Sequence, residues 1–243
     1  MSVQSLFIRH GANEPRICFA AVQGSTSEEF LSASEKEQLA DFKFAAKQES
    51  FRLGRLAAKR ALGALLEEPD LPRIEIRSGI YGQPLVHHPR AGSMEVSLSH
   101  SHGFAVALAF PAEYPMGIDL ETVAAVSAAT IIPELGASPP ELTWLAAAGV
   151  ARSTTGLDQA TACGVLWTAR EALGKSLHIG LNSPLGMLAL SEIQNTGEGT
   201  WAGRYLNFPQ CQCLSQVKDG RVLSVALPRE AALSAQLQLD QQS

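Results

Sequence analysis

The stretch Leu166-Trp167-Thr168-Ala169-Arg170-Glu171-Ala172-Leu173-Gly174-Lys175-Ser176-Leu177 sets charged groups into an otherwise apolar helical pattern. Glu171 and Lys175 stand four residues apart, a spacing that stacks them on one helix face, with Trp167 a turn earlier on the same stripe. A surface ion pair worth a few tenths of a kcal/mol accounts for that spacing equally well. A second pair of acids lies in Gly117-Ile118-Asp119-Leu120-Glu121. A strand there aims Asp119 and Glu121 to one side, close enough to share a hard cation such as magnesium. Two acids at a strand end also serve as a turn or a cap.

The segment Met94-Glu95-Val96-Ser97-Leu98-Ser99-His100-Ser101-His102 leads into the apolar run Phe104 to Phe110. Strand geometry puts Ser97, Ser99 and Ser101 on one face and His100 and His102 on the other. Small polar groups running into a core strand mark a strand end that opens on a site. A serine hydrolase would need a Gly-x-Ser-x-Gly elbow, which is missing here, whereas His100 and His102 could converge on a metal. His10, His87, His88 and His178 have no spacing that demands one.

These groups have to be placed by the surrounding elements. Residues 5–21 read as two short strands around Gly11 to Pro15. Ser32-x-x-Glu35 is a capping box that opens a helix to about Lys47, and a longer helix runs from Ser50 to Glu67, stopped by Pro69. Its polar face carries Arg52, Arg55, Lys59 and Arg60, read either as a solvated basic face or as an anion contact. Leu71 to Ile76 alternates like a strand. Ser78 to Pro84 is a turn whose backbone N–H groups can meet an anion or simply turn the chain. Glu113-Tyr114-Pro115 breaks the chain before a strand at Met116 to Leu120, and Thr122 to Leu135 is expected to be helical in part. Ser138-Pro139-Pro140-Glu141 caps another helix with Trp144 and Leu145 inward. A polar loop at 149–157 precedes the long helix Asp158 to Leu177. Strands follow at 185–190, 201–206 and 222–227, with a hairpin turn at 217–221 and a loose helix beyond Arg229.

One echo runs through this order. Ala58-Lys59-Arg60-Ala61-Leu62-Gly63-Ala64-Leu65 parallels Ala169-Arg170-Glu171-Ala172-Leu173-Gly174-Lys175-Ser176, which suggests two related halves. The informative differences are in charge: Arg60 stands opposite Glu171, and Ala64 opposite Lys175.

A chain of 243 residues with 46% hydrophobic content fits one large or two small domains. Net charge −5 and a pI near 5.7 argue against a general binder of nucleic acid or anionic membrane, so an anionic ligand must meet a local basic cluster. The start of the chain lacks the basic, apolar character of a signal peptide, and no stretch approaches the roughly twenty apolar residues of a membrane span. A cytoplasmic protein is expected. Cys18, Cys163, Cys211 and Cys213 form no Cys-x-x-Cys unit and read as reduced thiols.

Taken together, Leu53-Gly54-Arg55-Leu56-Ala57-Ala58-Lys59, Gly82-Gln83-Pro84, Ser97-Leu98-Ser99-His100-Ser101, Gly117-Ile118-Asp119-Leu120-Glu121 and Trp167 to Lys175 fit one pattern. The chain resembles the Sfp-type 4'-phosphopantetheinyl transferases, which move the phosphopantetheine arm of coenzyme A onto a serine of an apo acyl or peptidyl carrier protein. The pieces occur in the family's order and span about residues 32 to 178. The resemblance implies an α+β fold, a pseudo-dimer of two similar halves at 1–114 and 115–243 with the active site in the cleft between them. It implies a monomer. In the family, the acids matching Asp119, Glu121 and Glu171 hold magnesium, and the lysine matching Lys175 contacts the phosphates. The histidine matching His100 lies at the pyrophosphate or the 3'-phosphate, and the arginine matching Arg55 helps hold the nucleotide. Lys59, Gln83, Pro84 and Ser99 lie in the matching pieces and are carried over as coenzyme A contacts. Two departures stand out: Gln83 replaces the lysine usual in Gly-Lys-Pro, and Arg170 replaces the lysine usual before the glutamate.

The residue types suit that chemistry. Magnesium takes a few carboxylates and keeps places for phosphate oxygens, while Lys175, Arg55 and His100 neutralise charge as the bond to 3',5'-ADP breaks. The proton of the attacking carrier serine goes to Glu171 or to a metal-bound water. Two rival readings are a non-catalytic module that binds coenzyme A or a carrier protein, and a metal-dependent phosphodiesterase. The transferase reading requires folding to gather three acids around one divalent ion.

Overall fold

The computed structural model describes residues 3–9, 11–24, 26–125, 128–148, 156–180, 183–197 and 199–239. The fold is α+β and divides into two compact units, Met1–Pro115 with Glu230–Ser243, and Met116–Arg229. Each unit sets one long helix against an antiparallel sheet.

In the first unit, β1 (Val3–Arg9) and β2 (Arg16–Gln23) form a hairpin. α1 (Ala33–Ala40) opens on the expected capping box of Ser32 and Glu35, but ends well before Lys47. A new helix, α2 (Ala45–Leu66), starts there. It ends on a left-handed Glu67, whose successor Glu68 returns its N–H to the Gly63 carbonyl at 2.8 Å, two residues ahead of Pro69. The strand expected at Leu71 to Ile76 is instead a single 3-10 turn at Leu71–Arg73, favoured by Pro72, followed by β3 (Glu75–Ser78). β3 pairs with β4 (Pro84–His87) in a separate ribbon. β5 (Met94–Ser101) and β6 (Phe104–Pro111) complete the main sheet. Gly54, Ala57, Ala58 and Ala61 on α2, together with Ala20 on β2 and Ala105, Ala107 and Ala109 on β6, are small and buried, so the helix settles close to the sheet.

The basic face expected on α2 is not solvated throughout. Lys59 is fully enclosed and Arg55 nearly so, both turned onto the buried carboxylate of Glu35. Glu35 therefore does two jobs, closing the capping box of α1 and binding α2.

The second unit opens with β7 (Gly117–Thr122), α3 (Ala128–Leu135), α4 (Pro139–Ala147) and α5 (Gln159–Ser176). Most of the loop expected at 149–157 lies outside the described residues. The expected strand at 185–190 is again a 3-10 turn, Leu185–Leu188, after Pro184. β8 (Leu190–Gly197), β9 (Thr200–Tyr205), β10 (Cys211–Lys218) and β11 (Arg221–Pro228) then form a meander. The sheet order is β7-β11-β10-β9-β8. Beyond it, the tail forms no helix among the described residues. Instead a short β12 (Ala232–Leu233) pairs with β1, giving the first unit the order β12-β1-β2-β6-β5. No helix among the described residues is long and apolar enough to cross a membrane.

The internal echo is structural. The β5–β6 turn at His102-Gly103 and the β10–β11 turn at Asp219-Gly220 both take two left-handed residues, the geometry of a tight hairpin. Gly24 donates to the Gly103 carbonyl as Val123 donates to that of Gly220. The buried bridge recurs as well. Glu141 closes the α4 capping box with Ser138 and binds the fully buried Arg170 of α5, as Glu35 closes that of α1 and binds Lys59 of α2. Each glutamate also accepts a backbone N–H from the chain beyond the long helix, Ile76 at 3.1 Å and Leu190 at 2.9 Å.

Candidate active site

β7 is an edge strand of the second unit, paired only with β11, and α5 lies across both. Contact is close because position 117 is glycine: a Cβ there would stand 1.9 Å from the Ala172 carbonyl oxygen and 2.7 Å from the Ser176 nitrogen. That approach brings the Lys175 Nζ to 2.6 Å from Asp119 Oδ1 and 3.1 Å from the Ile118 carbonyl oxygen. Asp119 is 1% exposed, so Lys175 turns to a buried carboxylate of β7.

Glu171 joins the same cluster. Its carboxyl is raised to about 7, chiefly by burial and next by the negative charge of Asp119, with Glu121 adding to the rise and the Lys175 ammonium and the Trp167 indole N–H opposing it. Asp119, Glu121, Glu171, Lys175 and Trp167 are thus one electrostatic unit, built from β7 and α5. Among the described residues, however, no three His, Cys, Asp or Glu side chains are gathered as a metal's ligands. This differs from the expectation of three acids closed around one ion. The carboxylates repel one another, and Lys175 closes on Asp119 in place of another acid. The donor set still suits a hard divalent cation: all donors are carboxylate oxygens, and the negative field that raises Glu171 is what a cation would relieve.

A pH test follows from this field. The folded-state carboxyl of Glu171, at about 7, lies above its ordinary 4.5, so its contribution to stability is full below about pH 4.5 and is lost as pH rises through about 7. Glu171→Gln cannot ionise. In chelator-treated protein it is expected to exceed the wild type in melting temperature by several degrees at pH 8, a gain of order 2–3 kcal/mol, and by little at pH 5. An identical difference at the two pH values would contradict the placement of this carboxyl.

The predicted site residues of the first unit have mixed positions. His100 is exposed at the end of β5, beside Gly54 of α2, where a Cβ would stand 3.3 Å from the Leu98 side chain. It borders a cavity of about 310 Å³ with Leu53, His102 and Phe104. Ser99 turns to the buried face of the same strand, so these two side chains do not meet. His102 is not on the strand; it sits in the turn at φ 47°, with Nδ1 3.1 Å from the Ser101 hydroxyl, which separates the proposed His-x-His pair. Arg55 stacks over Phe51 at 4.7 Å, with Nε 3.6 Å from Glu35, and burial lowers its pKa against that carboxylate's pull. Lys59 has no exposed face: its ammonium is bound by Glu35 and donates to the Phe30 carbonyl at 2.9 Å, which corrects its expected role as a phosphate contact. Gln83 and Pro84 stand where β4 leaves the hairpin loop. The Gln83 Oε1 accepts the Tyr81 N–H at 3.0 Å and its main-chain carbonyl accepts that of Gly79 at 2.7 Å, so this side chain braces its own loop.

The buried bridges Glu35–Lys59 and Glu141–Arg170 were not anticipated. A signal was available: Lys59 with Leu62 and Leu66, and Leu166 with Arg170 and Leu173, share helical stripes that are buried. Arg170 is therefore architectural and points away from the acid set that Glu171 joins.

Residues 115–231 match the family model described as the 4'-phosphopantetheinyl transferase superfamily. No curated protein matches the chain. Among solved structures, the chain is similar to the Helicobacter pylori holo-[acyl-carrier-protein] synthase in complex with coenzyme A, at 24% identity and TM-score 0.33, over 39% of this chain and 98% of that one. A holo-(acyl-carrier-protein) synthase from Bacillus anthracis in complex with CoA (3',5'-ADP) gives 23% identity and TM-score 0.36, over 43% and 96%. The Thermotoga maritima holo-[acyl-carrier-protein] synthase gives 30% identity and TM-score 0.30, over 38% and 61%. The family match covers β7, α5 and every member of the acid cluster. The likeness to the 4'-phosphopantetheinyl transferase superfamily is thus carried by residues 115–231, a little under half of the chain.

Proposed function

We propose that the protein is a magnesium-dependent, Sfp-type transferase that moves phosphopantetheine from coenzyme A to a serine of an apo acyl or peptidyl carrier protein, releasing 3',5'-ADP. The observation that carries this reading is the cluster of Asp119, Glu121 and Glu171 with Lys175 at 2.6 Å from Asp119, inside the segment that matches the family. The two similar halves in one chain support the Sfp type and a monomer, and four free cysteines suit a reducing, cytoplasmic setting.

Asp119, Glu121 and Glu171 would hold magnesium, which when bound supplies positive charge to the pyrophosphate. The Lys175 ammonium, at 2.6 Å from Asp119 Oδ1, would give a charge-assisted hydrogen bond to a phosphate oxygen. Arg55, His100 and the Gln83-Pro84 loop hold the nucleotide end. The carrier serine Oγ forms a bond to the β-phosphorus, the bond from that phosphorus to the bridging oxygen breaks, and the electron pair leaves with 3',5'-ADP. Glu171 would take the serine proton, as the acid that α5 presents one turn from Lys175.

Incubation with coenzyme A, magnesium and a panel of apo carrier proteins tests this. A carrier heavier by one phosphopantetheine is expected. Free phosphopantetheine without carrier modification would point to the phosphodiesterase, and binding without turnover to a coenzyme A or carrier-binding module.

The loop gives a second measurement. Gln83→Lys loses the brace on Tyr81, costing about 1 kcal/mol or less at an exposed turn, and supplies the missing charge. Coenzyme A is expected to bind about five- to tenfold more tightly. An unchanged Kd would mean that the loop faces elsewhere.

A further inference from the structure

A chain of buried hydroxyls lies directly behind the acid cluster. Thr168 on α5 is fully buried and donates to the Gly164 carbonyl at 2.9 Å. Its oxygen is 2.7 Å from the Ser224 hydroxyl on β11, which is 2.7 Å from that of Ser215 on β10. The three hydroxyls thus form a continuous hydrogen-bonded chain that ends on the helix at the Gly164 carbonyl. Ser224 is the register partner of Asp119. On α5, Thr168, Ala172 and Lys175 share one stripe, and Glu171 follows Thr168 by one turn. The helix is thereby tied to the strands at two points, Thr168 to Ser224 and Lys175 to Asp119, with Gly117 beneath Ala172 between them.

The duplicated fold shows what this chain is for. Aligning the two hairpin turns and the two long helices sets Ala57 where Thr168 stands, Ala107 where Ser224 stands and Leu98 where Ser215 stands. The same alignment sets Ala20, Val22, Arg60 and Ala64 opposite Asp119, Glu121, Glu171 and Lys175. The first unit thus builds the same helix-on-sheet scaffold without the acids or the hydroxyls at these matched positions. Packing of the scaffold does not need the hydroxyls, because the apolar Ala57, Ala107 and Leu98 serve in the other half, and burying hydroxyls unpaired would be costly. They occur in the half whose helix must present an acid and an amine at a fixed height and rotation above β7.

We infer that Thr168 and Ser224, backed by Ser215, are positioning residues that fix the rotation of α5 so that Glu171 and Lys175 meet Asp119. The inference rests on the transferase reading of this site and extends it to residues that touch neither substrate nor metal. The test titrates Mn2+ into the intact chain by calorimetry, alongside magnesium-dependent transfer. Thr168→Val and Ser224→Ala are expected to weaken Mn2+ binding and to lower kcat, each about tenfold, while Thr168→Ser, which keeps the hydroxyl, stays within about twofold of wild type. Ser215→Ala, at the far end of the chain, is the gentler variant and should show about a threefold effect. Leu62→Ala in the core of the first unit is expected to lower the melting temperature without changing the Mn2+ affinity, separating positioning from loss of stability. Variants that melt lower but bind Mn2+ and turn over like wild type would overturn the inference and leave the transferase reading standing. A wild-type protein that binds no Mn2+ would overturn both.

Discussion

Asp119→Ala is expected to abolish the proposed transfer, with kcat/KM falling by about 10³-fold or more while the fold survives. Two losses combine in this one change. The acid cluster loses its most buried carboxylate, and the Lys175 ammonium loses the oxygen that holds it at 2.6 Å, so the amine is free to turn to solvent. Removal of one pre-placed charge from a site of this kind costs about 10²–10³ in rate, and loss of a phosphate-directed cation costs at least as much again. The fold is spared because Asp119 contributes no apolar volume to the core, and Lys175, 27% exposed, has a path to water. Asp119→Asn separates the two losses: it keeps the volume and an oxygen for Lys175 but removes the charge, and it should lose nearly as much. Release of 3',5'-ADP against time, with a thermal melt of each variant, measures both. Turnover at the wild-type rate in either variant would show that the chemistry lies elsewhere.

The parts of this site that could be read in the sequence were those set by short-range spacing. Glu171 and Lys175 on one helical stripe, Asp119 and Glu121 on one strand face, and the two capping boxes are local patterns, and the structure keeps each of them. What escaped were features decided by partners far along the chain. Arg55 and Lys59 form a polar stripe by composition, and only the arrival of Glu35 from α1 turns them inward. The tail is rich in glutamine and alanine and favours a helix by propensity. It becomes a strand because the edge of β1 offers it partners: the Ser234 N–H donates to the Phe7 carbonyl, and Gln4 bonds the main chain at Gln236 and Gln238. Residues 71–76 alternate like a strand and 185–190 have the length of one, but proline near each start favours a 3-10 turn first. The hydroxyl chain escaped for the same reason, since Thr168, Ser215 and Ser224 are brought together only by sheet register and helix packing.

The second large effect is on stability, and it follows from the two glutamate bridges. Arg170 is fully buried, with its guanidinium bound to both oxygens of Glu141 and to the carbonyls of Leu135 and Leu185. Glu141 in turn accepts the N–H groups of Ser138 at 2.7 Å and Leu190 at 2.9 Å. Glu141→Ala leaves the guanidinium charged and enclosed, together with two stranded N–H groups, and is expected to cost about 3–5 kcal/mol in the second unit. Glu35→Ala looks equivalent by symmetry but should cost less. The lysine it strands, already lowered in pKa by burial, can shed its proton, and Arg55, on the same glutamate, sits close enough to the surface to swing out. Arginine cannot shed its proton at any accessible pH. The loss in Glu35→Ala is also expected to shrink as pH rises toward the lowered Lys59 value, while that in Glu141→Ala stays constant. Denaturant melts of both variants at pH 7 and pH 9 read this difference. Equal, pH-independent losses would mean that Lys59 keeps its proton in the core, and that the two halves manage their buried charge in the same way.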